Sequence, residues 1–442
     1  MNRFCLAFLL IFAQSGCKSR DESANSTSKA VGAEDVLRER PLSLQEFTTT
    51  NGGLFLSNYD ARIESLKARL RGSGPVLVSC GTLASDLRTR GQYSENLPDF
   101  FEAEKLLDTC LQAGVQEKEI YLLRSVAYLA LHKYDRAAVD IRTAFDNGLD
   151  ENLYHFIRQS ILWEEGKYAE AREIAVRAAT KPSVTTLTRM GALHFLEGDF
   201  ANGHKFFVAA ENRMTEPNPM LLAWIYTQRG RAYISAGNAD LALSFCSAAL
   251  GRLPNFKIAT ECLAEAHAGK GEFTEAIKYF DELVHAVPPD LKATLKLAQL
   301  YDKQGTVISR TKAAAMKALA APQLAILQVK APEIFYGINA QVLVAGGLLT
   351  PARSLVDKAI GVSGINSINL QLRAELNLKD HKTAEAKADI EQALAMNPKS
   401  AGLHNLAATI FAATNEMQKA EDQKQLARSL NPHIYDAEVL WY

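Results

Sequence analysis

The sequence predicts an all-α solenoid of about ten antiparallel helix-turn-helix repeats. The first observation behind this is a fixed period. Ala103, Ala137 and Ala171 stand 34 residues apart, as do Ala242 and Ala276, and Ala352, Ala386 and Ala420. Pro254 and Pro288 repeat the interval, and so do Pro398 and Pro432. The second is composition. Ala and Leu dominate, and β-branched and aromatic residues are sparse between 100 and 430, which favours helix over strand. The third is punctuation. Breakers fall between candidate helices at 132–135 (HKYD), 165–168 (EGKY), 197–200 (EGDF), 236–239 (AGNA) and 270–273 (KGEF). A period of this length marks units that cannot bury an apolar face alone and must stack.

Within the period the residue types keep a register. Residues 223–256 give Tyr226, Gly230, Tyr233, Ala242, Cys246, Ala249 and Pro254. Residues 118–151 give Tyr121, Ser125, Tyr128, Tyr134, Ala137, Ile141 and Ala144. Residues 367–400 give Leu370, Ala374, Ala386, Ile390, Ala393 and Pro398, and 401–434 give Ala408, Phe411, Ala420, Ala427 and Pro432. Small residues let two helix backbones approach, and large ones fill the gap to the next unit. This pattern resembles the tetratricopeptide (TPR) repeat. The resemblance implies a right-handed superhelix whose inner face is lined by the first helix of each unit.

Taken from the N-terminus, residues 1–16 read as a signal peptide. Arg3 gives a positive start, and Phe4 to Ala13 form an apolar run too short to span a bilayer permanently. The run ends at Gln14-Ser15-Gly16-Cys17, which resembles a bacterial lipoprotein box apart from Gln14, where an aliphatic residue is usual. That resemblance implies lipid attachment at Cys17. By analogy with lipoprotein sorting, Lys18 then favours the outer membrane. An ordinary secretory signal or a short anchor is the alternative. Residues 18–32 are polar, small and charged, and 17–45 read as a tether. Residues 46–83 hold a leading helix region, with Ile63, Leu66 and Leu70 on one face between Asn58 and Arg71. The repeat array is expected over 84–434. It is interrupted by a long turn at 214–220 and by surplus residues at 306–332, where Pro322 and Pro332 should break helices. Residues 435–442 read as a closing segment.

The 442 residues carry a formal net charge of −1, so no basic field suggests nucleic acid. Nucleophile-elbow, zinc-protease and phosphate-loop motifs are absent from the sequence, and no cofactor or metal is expected. The chain is therefore read as a non-enzyme. His194 and His267 read as helix-packing residues. Glu164-Glu165 and Glu261 with Glu265 read as solvated faces. Cys246 and Cys262 fall on successive helices and are close enough in sequence to meet. The preferred reading for Cys80, Cys110, Cys246 and Cys262 is nevertheless buried free thiols.

By the resemblance, the inner groove carries Leu122, Val126, Leu129, Phe156, Trp163, Phe195, Trp224, Arg231 and Ile234, with Glu261, Glu265, Gln341, Gln371 and Glu375 farther along. Trp163 and Phe195 should project together, and such apolar rings commonly mark a binding surface. The expected function is a membrane-anchored scaffold or assembly adaptor in a bacterial envelope, holding a protein or peptide partner. A carbohydrate-binding or cell-wall-binding scaffold is the alternative, because sugars also stack on aromatic rings.

Overall fold

A computed structural model of the protein describes residues 51–430, apart from 74–76, 166, 179–182, 197–198, 215–217, 236–237, 287–288, 346–347 and 399. The signal segment, Cys17, the tether and the closing segment 435–442 lie outside the described residues. Among those described there are 21 helices and no strand.

The first helix, α1 (Gly52–Ser73), is single. Ten pairs follow: α2 (Leu77–Ser94) with α3 (Leu97–Gln112), α4 (Lys118–Ala130) with α5 (Tyr134–Asp146), α6 (Glu151–Glu164) with α7 (Tyr168–Ala178), and α8 (Val184–Leu196) with α9 (Phe200–Asn212). Next come α10 (Pro219–Ser235) with α11 (Ala239–Arg252), α12 (Lys257–Gly269) with α13 (Phe273–Val284), and α14 (Leu291–Gln304) with α15 (Val307–Lys330). The last three are α16 (Pro332–Ala345) with α17 (Leu349–Ser363), α18 (Ser367–Lys379) with α19 (Thr383–Met396), and α20 (Ala401–Ala413) with α21 (Met417–Leu430). These pairs are units one to ten. Unit one begins at Leu77, inside the stretch the sequence assigns to the leading helix region.

The periodic alanines explain the pairing. Ala103, Ala137, Ala171, Ala242, Ala276, Ala352 and Ala386 are fully buried, because each stands where the two helices of a unit cross. Unit four uses Gly203 instead. A methyl there would come within 2.9 Å of the Phe195 ring and 3.1 Å of the Gly191 carbonyl, so even alanine is excluded. Arg124 clamps unit two through both oxygens of Asp140, at 2.7 and 2.8 Å, and Arg373 grips Asp389 in the same way in unit nine. Seven helices start on side-chain caps: Asp150, Asp199, Asn238, Asp290, Thr306, Asn366 and Ser400 each accept a backbone N–H of the first turn. The turn inside a unit takes one residue into the left-handed region, at Glu95, His132, Gly271, His381 and Asn415.

The surplus at 306–332 behaves differently from expectation at Pro322. It is not a break there. The second helix of unit seven is simply longer, and α15 runs 24 residues through Pro322. A proline inside a helix costs roughly 3 kcal/mol. Here Ala313, Ala320 and Leu327, seven residues apart, bury one stripe of the helix and offset that cost. The break expected at Pro332 is present: α15 ends at Lys330 and Pro332 opens α16, where a first-turn proline loses no intrahelical bond.

The cysteines also differ from expectation. Cys246 on α11 and Cys262 on α12 form a disulfide, with Cα atoms 6.0 Å apart, within the usual range for the bond. It staples unit five to unit six. Cys110 is disulfide-bonded as well. Gly230 makes room for the Cys246–Cys262 bridge: a methyl on Gly230 would overlap the Cys246 sulfur at 2.2 Å and approach the Cys262 sulfur at 2.9 Å.

Candidate ligand groove

Four first helices, α10, α12, α14 and α16, line the inner face of units five to eight. Polar side chains of the first three form a ladder. Arg231 on α10 pairs with Glu261 on α12. Lys296 on α14 donates to Glu261 at 2.6 Å and also to Glu265. Glu261, Glu265 and Lys296 lie one helical turn or one unit from each other, so the ladder follows from i, i+4 spacing on stacked helices. Burial alone would raise the Glu261 pKa, but Lys296, Lys292 and Arg231 outweigh it and hold the carboxyl far below its ordinary value. Burial likewise disfavours the Lys296 charge, and Glu261 and Glu265 more than restore it. Glu261 and Lys296 are thus buried ions, not the solvated face expected of the glutamates. Glu164 is buried too, beside Arg189.

The N-terminal helices lie across this ladder. Helix α1 touches α10, and α2 touches α12. Gly52 sits so close to the Arg252 carbonyl that a methyl would come within 2.2 Å of it. Tyr93 belongs to the same apolar cluster as Trp224, Phe256 and Ile258, and Phe55 and Leu56 pack against that cluster. Leu97 and Phe101 pack on Leu291, Leu295, Ala331 and Phe335, and the Lys330 ammonium lies 5.3 Å from the centre of the Phe101 ring. Between these apolar contacts stands Glu95. Its carboxylate meets Lys292, 197 residues away in sequence, at 3.3 Å, and its side chain keeps only 9% of its exposure. Burial pushes its pKa up to about 7. Lys292 and Arg231 oppose that rise, while Asp290 and Glu261 add to it. Lys257 faces the same point, its pKa lowered by burial against the pull of Asp290 and Glu95. Among the described residues no group of three or more His, Cys, Asp or Glu side chains is placed to hold a metal. No described helix is long and apolar enough to cross a membrane.

The family profile of the tetratricopeptide repeat matches residues 122–183, 227–290, 262–307 and 372–431. The chain contains tetratricopeptide repeats. Arrays of this kind are generally protein-interaction modules. No curated protein matches the sequence. Among solved structures the chain is similar to yeast Tom70, at 15% identity over 86% of this chain and 90% of that one, with a TM-score of 0.40. It is similar to a tetratricopeptide repeat protein from Parabacteroides merdae, at 16% identity over 66% of this chain and 98% of that one, with a TM-score of 0.31. It is also similar to the Cut9–Hcn1 hetero-tetramer of the APC/C, at 12% identity over 92% and 95%, with a TM-score of 0.36.

In the tetratricopeptide array most residues expected to line an open groove are core. Leu122, Val126 and Leu129 are buried with Tyr134, Ala137, Ile141 and Ile157 in the seam between units two and three. Trp163 is 6% exposed and packs with Ala171, Ile174, Met190 and Leu193. Phe195 is 8% exposed and meets Phe200, Phe207 and Tyr233 edge-on or tilted. Trp224 is 2% exposed, under the N-terminal helices. Phe156 is half-buried, with the Arg189 guanidinium stacked 4.2 Å from its ring centre. Ile234 is half-buried against Cys246, Cys262 and Leu263. Of the nine, Arg231 is the one whose charge belongs to the ladder beneath Glu95. Two physical causes account for the difference. The rings at these register positions fill seams between units, and the curvature of the array brings unit one over units five to eight. Sequence reasoning missed Lys257, Lys292 and Lys296. The available signal was the pair Lys292 and Lys296 at i, i+4, one unit after Glu261 and Glu265. His194 and His267 stack on Phe206 and Tyr279 and pair with Asp199 and Glu272 at the start of the following helix.

Proposed function

We propose that the protein is a lipid-anchored scaffold or assembly adaptor of a bacterial envelope that holds a protein or peptide on the inner face of its repeats. The anchor is Cys17, on the outer membrane, with the array carried on the tether 17–45. The observation that carries the exported setting is the Cys246–Cys262 disulfide between units five and six, because such bonds persist in oxidising compartments and are rare in reducing ones. Partner binding is supported by the tetratricopeptide repeats and by an inner face whose charges and apolar pockets converge on one segment. The glycan alternative rested on exposed aromatic rings, and Trp163, Phe195 and Trp224 are buried, which favours the protein partner. In cells, Cys17→Ser should remain an unprocessed precursor that takes up no labelled fatty acid. Crosslinking of the wild type at the inner face should give a protein adduct. Full labelling of Cys17→Ser, or adducts with glycan alone, would overturn this reading.

A further inference from the structure

The segment seated on units five to eight is built as a ligand would be. The α2–α3 turn is braced by contacts of its own. Arg90 grips Asp99 with two bonds of 2.8 and 2.9 Å. The Asn96 amide returns to the Gly91 carbonyl at 3.1 Å. A methyl on Gly91 would press into the Phe100 ring at 2.9 Å. The turn lifts Glu95 into the left-handed region, at φ 49°, a conformation that a non-glycine residue holds at some cost. From this platform Tyr93, Glu95 and Leu97 reach the inner face, with Phe101 one helical turn farther on. The receiving surface is complementary: Lys292, Arg231 and Lys257 surround the carboxylate, and separate apolar clusters take Tyr93 on one side and Leu97 with Phe101 on the other.

We propose that the inner face of units five to eight is a peptide groove which the chain's own residues 93–101 occupy, and that a partner enters by replacing them with a segment of the same chemistry. That segment carries an acidic side chain, an aromatic two residues before it and a large apolar residue two after it. The inference rests on reading the array as partner-binding. A buried ion pair is a poor source of net stability, since desolvation of the charges offsets their attraction. Glu95 with Lys292 therefore sets the register of the docked segment, and the apolar contacts hold it. An occupant held this way is displaceable by a competitor with equal pockets filled. The occupied groove lowers the apparent affinity for any partner by the fraction of chains that are open.

The test uses the full chain and a fluorescent peptide of its residues 88–103, read by anisotropy, with circular dichroism on each preparation. Glu95→Lys sets a cation against Lys292, Arg231 and Lys257 and should free the groove. The peptide should bind this variant at least about ten-fold tighter than wild type. Adding Lys292→Glu in the same chain should abolish that gain, because the two exchanged charges pair again and close the groove. If Glu95→Lys loses helix content, Tyr93→Ala is read in its place, with the same expected gain. A folded opening variant that binds the peptide no better than wild type, including no binding by either, overturns the proposal. The adaptor reading would survive that result, since crosslinking in cells tests it through whatever surface the partner uses.

Discussion

Units nine and ten and the middle of the array use the same inner-face positions to opposite ends. In unit nine those positions hold Gln371 and Glu375. Both are half-exposed, and Glu375 pairs with Lys379 one turn along its own helix, at 3.1 Å. In units five and six they hold Arg231, Glu261 and Glu265, and Glu261 is buried in a ladder that runs between helices and ends beneath Glu95. Stacking rules are the same in both regions. What differs is the cover. The middle face is closed by the N-terminal helices, and a closed face can sustain buried ions where an open one carries solvated polar groups.

The largest effects should come from rings that belong to seams and not to a binding face. Trp163→Ala and Phe195→Ala should each lower stability by about 3–5 kcal/mol, seen as early melting of units three and four. Loss of partner binding with an unchanged melting curve would show that these rings are surface anchors after all. Gly230→Ala should break the fit around the Cys246–Cys262 bridge. Removal of a structural disulfide costs about 2–5 kcal/mol, so the variant should melt earlier than oxidised wild type, and reduction should cost it less than it costs wild type, the Cys110 disulfide being the bond left to lose.

Closure should respond to pH through Glu95. The groups facing it are Lys292 and Asp290 from α14, Glu261 and Lys257 from α12, and Arg231 from α10. Its pKa is raised from the ordinary 4.5 to about 7 in the folded chain, chiefly by burial, so the folded form binds the proton more tightly than the unfolded one. The stabilisation is full below about 4.5 and is lost as pH rises through about 7, to a total of up to about 3 kcal/mol. Stability measured by denaturant titration across that window should fall in wild type and stay flatter in Glu95→Gln. Equal slopes for the two proteins would remove Glu95 from the account. A smaller change is expected in the open region. Ala386→Leu should overpack the crossing in unit nine and cost about 1–3 kcal/mol, with local loss of hydrogen-exchange protection in units nine and ten and none at the middle face. Protection lost along the whole array would contradict nearest-neighbour stacking.

The contrast also separates what the sequence makes legible from what it hides. Repeat number and crossing alanines are local, so a 34-residue spacing reports them directly. Pro322 misleads because a proline's local penalty is visible in the sequence, while the buried stripe of Ala313, Ala320 and Leu327 that outweighs it depends on α14 and its neighbours. The cysteine pair was visible as two thiols on successive helices, but only the space left by Gly230 shows that they meet. The meeting of Glu95 with Lys292 is hidden more deeply. It arises from small rotations summed over units one to seven, and no motif near either residue carries it. The aromatic groove failed for the same reason. A ring's register position tells which helix it sits on, but exposure depends on what the superhelix brings over it.

The measurement closest to the central claim is a double-mutant cycle between Glu95 and Lys292 at pH 8, where the carboxylate is charged. Glu95→Gln, Lys292→Met and the double variant are unfolded by denaturant alongside wild type. Groups in contact couple by about 0.5–3 kcal/mol, whereas distant groups add to within about 0.5 kcal/mol. A coupling in the first range, between residues 197 apart in sequence, is the predicted result. Additivity of the two substitutions would contradict it and leave the inner face of units five to eight open.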